Sequence, residues 1–403
     1  MFEKLKKSKR IFIIPIVFII VFGLLILPAF IPIVKANPEN LPIGLVVSDE
    51  GEFGQNISGE LPDKAPDAIK IITYDSVEDM ETAMNEREIY GAIEFPKDFS
   101  SQIKSLQSAE PEKAVANIYV NEGANAMAAT MVETALTNMV SMLNDQISNQ
   151  MLTTIQEKAD QIKNELAPVI EGQGNDSPLA QLPAMISPIQ PERVQDFAKP
   201  IEYEVTKVNE TSDLANIPMA FLSVIWLISI VTAAMLYLSN NGRSFKSKTK
   251  KLYFDLLQSV LPFVYALIAG YVLTWYGTWI LDIQFESFNT VALYLTLVIS
   301  AFILMIFAVM KWLKLPSIAL FVILMFFSMA SIQIVPEMMP DFYRDYLYSW
   351  LPLRIYADGF KEVLFFSKSL INDYSMILIW IIIGALVIIW LKNLLEKNKV
   401  KTI

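Results

Sequence analysis

Neither cysteine nor histidine occurs in the 403 residues. Without cysteine the chain forms no disulfide, carries no thiolate nucleophile and builds no cysteine-ligated metal site. Without histidine it has no imidazole ligand or proton shuttle and no Ser-His-Asp triad. The pattern G-x-x-x-x-G-K-[ST] is also missing, so ATP is not bound in the P-loop manner and any coupling to ATP must come from another chain. Charge is scarce inside the apolar runs: Asp255, Asp282, Lys311 and Glu337 all fall at their ends. Carriers driven by protons or sodium ordinarily keep ionisable groups at mid-membrane, so this pattern argues against that class.

What is present is hydrophobic, at 54% of residues. One apolar run spans Ile11 to Val34, and five more follow one another between Ile217 and Leu391. Each approaches the ~20 residues that a helix needs to cross ~30 Å of hydrocarbon. Val34-Lys35-Ala36 loosely resembles a signal-cleavage site, but the first run exceeds the usual ~7–15-residue apolar core, so an uncleaved anchor is expected. Pro15, Pro28 and Pro32 should kink it.

The net charge of −10 conceals a partition. Basic residues gather in four short segments: Lys4 to Arg10, Arg243 to Lys251, Lys311 with Lys314, and Lys392 to Lys401. The positive-inside rule puts all four in the cytoplasm, which six spans satisfy with both termini inside. The expected layout is an N-terminal segment (1–10), a first span (11–34), an external domain (35–216), a block of spans two to six (217–391) and a tail (392–403). The acidic excess then falls outside, on 35–216 and on the 336–373 loop.

In the excursion, strands are expected at Ile43–Val47, Ile69–Thr73, Gly91–Phe95, Ala114–Val120 and Ile201–Val208, with helices at Val77–Arg87 and Lys97–Leu106. Alternating strands and helices predict a small α/β domain. Residues 124–166 contain no Pro or Gly and repeat apolar residues at helical spacing, predicting a long helix packed as a stalk in preference to a ligand groove. Residues 168–200, with six prolines, read as a linker. The Asp49, Glu50, Glu52 cluster lacks the spacing of a calcium loop and reads as a solvated acidic turn. No catalytic, cofactor or metal residue is expected.

Two stretches bear on function. The basic segment before Gln258 carries Phe245, Leu252, Tyr253 and Leu256, which suit a short amphipathic helix docking a cytosolic partner, while its lysines attract lipid headgroups. Tyr265, Tyr271 and Trp275, with Tyr276 and Trp279, form either an interfacial aromatic belt or a lining for an amphiphilic substrate. The stretch LPLRIYADGFKEVLFF should be a helix in the outer interface.

LPIGLVVSDEG after the first run, YGAIEFPKDFS some forty residues on, AKPIEYEVTKVNE before the second run and LPLRIYADGF before the last occur in an order that resembles the type 2 ABC transporter permeases. Within them the chain is similar to the YhgE/Pip (phage infection protein) group. The resemblance implies a bacterial plasma-membrane permease, itself not an enzyme, that moves a hydrophobic or amphiphilic substrate outward. It would pair with a cytosolic ABC ATPase and with a second permease, as a homodimer or heterodimer, and would bind no nucleic acid. The alternative is a non-transporting scaffold or surface receptor (a phage receptor or secretion accessory protein) acting through its external domain.

Overall fold

The computed structural model describes residues 20–21, 24–106, 108, 111–171, 197–211, 214–240, 245 and 247–395. The expected N-terminal segment, the start of the first apolar run, most of the Pro-rich linker and the end of the tail lie outside the described residues. The chain is mostly helical and divides into two compact units. Helix α1 (Leu24–Val34) opens the helical unit, with a 3₁₀ turn at Leu27–Phe30 where Pro28 enters the first turn.

The second unit, Asn40–Glu122 with Ala128–Val208, is an α/β layer. Its strands are β1 (Leu41–Val47), β2 (Ile69–Tyr74), β3 (Gly91–Phe95), β4 (Ala114–Asn121) and β5 (Ile201–Val208), ordered β2-β1-β3-β4-β5. β1 runs parallel to β2 and β3, which brings Ile43 beside Ile71 and Gly44 beside Ala92. β4 is antiparallel to β3 and parallel to β5. Parallel neighbours need crossovers: α2 (Glu52–Glu60) and α3 (Val77–Asn85) connect β1, β2 and β3, and the long helix Ala126–Glu171 begins the connection from β4 to β5. Ser76 caps α3, its Oγ accepting from Asp79 N at 3.1 Å. Helix α4 (Phe99–Ser105) precedes β4.

Helix α5 (Ala126–Glu171) has 46 residues, roughly 69 Å at ~1.5 Å per residue. It begins close to the expected boundary and runs through Pro168 into the stretch expected as linker. Val132, Leu136 and Val140 are buried along one stripe. Asn144 ties α5 to the start of β5: its Nδ2 donates to Ile201 O at 3.0 Å and its Oδ1 accepts from Ile201 N at 2.7 Å.

One element was not expected. The acidic stretch read as a solvated turn leads into α2, and Asp49 is buried, 6% exposed. Its Oδ2 accepts from Gly54 N at 3.0 Å and from Ser100 Oγ, while Ser100 Oγ accepts from Phe53 N at 3.1 Å. Asp49 and Ser100 thus satisfy free amides at the start of α2. A Cβ at residue 54 would fall 2.8 Å from Asp49 Cβ, so glycine is needed there.

The helical unit continues with α6 (Ile217–Asn240), α7 (Lys248–Ile280), α8 (Phe288–Leu313), α9 (Ser317–Gln333), α10 (Asp341–Tyr346), α11 (Pro352–Phe365) and α12 (Asp373–Leu395). α8 is central, buried along most of its length. Trp226 of α6 meets Phe302 edge-on at 5.0 Å and donates Nε1–H to Phe321 O at 3.1 Å. α7 approaches α8 at Gly270, where a Cβ would lie 2.6 Å from Ala292 O; small residues permit such backbone proximity between apolar helices.

Among the described residues, α6, α7, α8 and α12 are long and apolar enough to cross a membrane. α1 and α9 are apolar but shorter. The 17 residues of α9 reach about 25 Å, because Pro316 opens the helix and Ile334 leaves it in extended conformation.

α11, expected as a helix in the outer interface, forms as a helix and packs its side chains among those of the helical unit. Its Tyr356 and Phe360 are fully covered. Tyr294 OH donates to Tyr356 O and Tyr356 OH to Pro218 O, each at 2.9 Å. These bonds satisfy the polar tips that would otherwise hold such residues at a water boundary.

Candidate functional site

The basic segment does not form a separate amphipathic helix. Ser247 caps α7, its Oγ accepting from Lys250 N at 3.2 Å, and the helix continues unbroken for 33 residues. No Gly or Pro interrupts it before Pro262, so nothing ends the docking segment before the long apolar run begins. At about 50 Å, α7 exceeds the ~30 Å of hydrocarbon, leaving several turns beyond it.

Those turns have two faces. Leu252, Tyr253 and Leu256 point outward, with Tyr253 70% exposed. Phe245, just before the helix, packs its ring 5.3 Å from Phe254. The structure therefore keeps Leu252, Tyr253 and Leu256 together as an exposed apolar patch, and holds Phe245 against the helix by a local ring contact.

The inner face, which the sequence reading passed over, carries Lys251, Asp255, Gln258 and Ser259. Gln258 Nε2 donates to Leu236 O at 2.9 Å and to Ser239 Oγ at 3.1 Å. Lys251 Nζ donates to Asn393 O at 2.9 Å. Asn393 Oδ1 accepts from Lys311 Nζ, which also sits 5.2 Å from the Phe307 ring centre. Lys311 and Asn393 are only 6% and 5% exposed. One polar cluster thus joins the ends of α6, α7, α8 and α12. Among the described residues Gln258 Oε1 and Asn393 Nδ2 find no hydrogen-bond partner. The spacing Lys251, Asp255, Gln258 is a readable helical stripe, but Asn393 stands 142 residues from Lys251 and 82 from Lys311 along the chain.

Tyr265, Tyr271 and Trp275 all lie exposed on α7. Tyr271 meets Phe288 at 6.2 Å, and Trp275 stacks on Trp279 at 5.4 Å. Within one chain the three face away from the buried helical core.

On α11, Arg354 Nε donates to Asp358 Oδ2 at 2.8 Å, and the guanidinium lies 4.0 Å from the Tyr348 ring centre. Lys361 Nζ donates to Ala124 O at 3.1 Å. Among the described residues no group of three or more acidic side chains is arranged to hold a metal. The arrangement offers a polar clasp and an exposed apolar anchor at one end of α7.

A family model described as "ABC-2 family transporter protein" matches residues 9–392. No curated protein and no solved structure matches the chain.

Proposed function

We propose, on the premise that the chain belongs to the ABC-2 transporter family, that it is the permease subunit of an exporter powered by a separate cytosolic ATPase. The observation that carries this reading is the family match over residues 9–392, since it takes in the α/β unit as well as the membrane helices. The order of the four motifs is what supports the finer reading, a member of the YhgE/Pip group. The spans are α1, completed by the apolar residues before it, together with α6, α7, α8, α9 and α12. Both termini are then cytoplasmic in a bacterial plasma membrane, and the α/β unit is external, as the charge partition requires.

The patch formed by Leu252, Tyr253 and Leu256 is the anchor for the ATPase, and Phe245 supports it. Tyr265, Tyr271 and Trp275 face outward, so they line a substrate path only where a second permease copy closes it. The substrate is hydrophobic or amphiphilic. The test is affinity purification from native membrane followed by reconstitution. Co-purification of an ABC ATPase whose hydrolysis depends on this chain supports the exporter. Recovery with surface or secretion components alone returns the chain to the scaffold or receptor class.

A further inference from the structure

The α/β unit contains an open apolar groove that the packing of α5 leaves unfilled. One side is α2 with the connection to β2, and the other is a stripe of α5 next to its buried face. The cavity is about 310 Å³. Its walls are mostly apolar and include Phe53, Ile57, Leu61, Met139, Leu143 and Ile147. Met142 stands at the mouth, 65% exposed. Methionine fills irregular space flexibly and is favoured at surfaces that accommodate varied apolar ligands.

The rim is polar and its charges compensate. Lys64 Nζ lies 2.5 Å from Glu60 Oε2. The Glu60 carboxyl is held below its usual range first by the hydrogen bond from Lys64 and its charge, and also by a hydrogen bond from Gln146 across on α5. Asn138 and Gln150 add uncharged amides from α5, and Asn56 adds one from α2. Such a rim offers donors and acceptors without a net charge.

We infer that this groove binds the hydrocarbon chain of a single-chain amphiphile whose head is uncharged and rich in hydroxyls. The volume is about twice the ~150 Å³ cavity that takes one benzene and lies at the lower end of ligand pockets, which suits one alkyl chain better than two. The self-compensated rim presents no net charge to attract a cationic or an anionic head, so a neutral head that hydrogen-bonds the Asn and Gln amides fits it best. A receptor or scaffold would use the same groove, so the inference stands apart from the export reading.

The test uses the full chain in lipid nanodiscs, free of detergent, and a dodecyl maltoside carrying a photoreactive diazirine on its alkyl chain. Saturable labelling should map to the peptides containing Ile57 to Leu61 and Met139 to Ile147. Unlabelled dodecyl maltoside should compete, maltose should not, and octyl maltoside should compete at least about tenfold less well, since each buried methylene contributes ~0.8 kcal/mol. Ala135→Trp, which fills the partly exposed groove wall, should reduce labelling at least tenfold. Lys64→Gln, at an exposed position, leaves Glu60 uncompensated and should make dodecyltrimethylammonium a better competitor than dodecyl maltoside. Non-saturable labelling, labelling unchanged by Ala135→Trp, or indifference of head selectivity to Lys64→Gln overturns the inference. Loss of labelling that tracks chain dimerisation instead assigns the groove to a second copy and also overturns it.

Discussion

Lys251 and Asn393 stand 142 residues apart, yet the Lys251 ammonium donates to the Asn393 main-chain carbonyl at 2.9 Å. The same asparagine receives Lys311 through its side chain. Two buried groups that hydrogen-bond to each other are coupled, so removing one costs the other part of its satisfaction. Asn393→Ala should therefore destabilise the helical unit by about 1–3 kcal/mol, and the double variant Lys311→Met with Asn393→Ala should lose less than the sum of the two single variants. Thermal unfolding of the reconstituted chain reads both. Additive losses in the double variant would show that the two side chains are not coupled.

Asp49→Ala removes the carboxylate that accepts from Gly54 N and Ser100 Oγ. The loss should be about 1–3 kcal/mol and local. Amide exchange should speed up across Glu52–Glu60 while the β4 and β5 amides keep their protection. Unchanged exchange in α2 would contradict the anchoring role.

Tyr119 provides a pH marker for the α/β unit. Burial first, then the hydrogen bond to Glu94 at 2.9 Å, pushes its phenol up to about 12. The folded state holds this proton more tightly than the unfolded chain, whose tyrosines titrate near ~10. The resulting stability is complete below pH ~10 and is lost as pH rises through about 12. The difference between wild-type and Tyr119→Phe phenolate absorbance should titrate near pH 12; a difference titrating near ~10 would refute the shift.

Four of the strands were legible as short runs rich in apolar residues and β5 as an alternating one, and β3 and β5 match their expected limits. Helix α2 was not, because Gly51, Gly54 and Gly59 within ten residues lower helix propensity. Its start is secured by Asp49 and Ser100, a contact that local pattern does not contain. The exposed apolar patch was readable from the apolar residues among lysines. The clasp behind it was not, since it depends on how α7, α8 and α12 meet. A groove on residues 124–166 was set aside in favour of a packed stalk, because a Met- and Gln-rich helical stripe looks alike whether a neighbour fills it or leaves it open.

Reporter fusions address the expected topology. A fusion at residue 150 should be active only outside and one at residue 245 only inside, because six spans alone keep the four basic segments on one side. A fusion at 245 that is active only outside would reject the layout.

The strongest demand on the exporter reading falls on α7. If force from an ATPase enters the membrane unit, it needs apolar cytoplasmic surface, and Leu252, Tyr253 and Leu256 occupy the first turns of a helix that continues through Pro262 and past Gly270. A push on those turns is carried to the close contact between Gly270 and α8, while the Lys251–Asn393 bond shares it with α12. Apolar anchors buried at an interface typically contribute ~1–4 kcal/mol each, and exposed lysines contribute mainly attraction to lipid headgroups. Changing Phe245, Tyr253 and Leu256 together to Ser should therefore release the ATPase and abolish chain-dependent ATP hydrolysis, with insertion and thermal stability retained. Changing Lys246, Lys248 and Lys250 to Gln should leave co-purification intact. If the apolar triple variant still brings down the ATPase at wild-type yield, the first turns of α7 are not where the two chains meet.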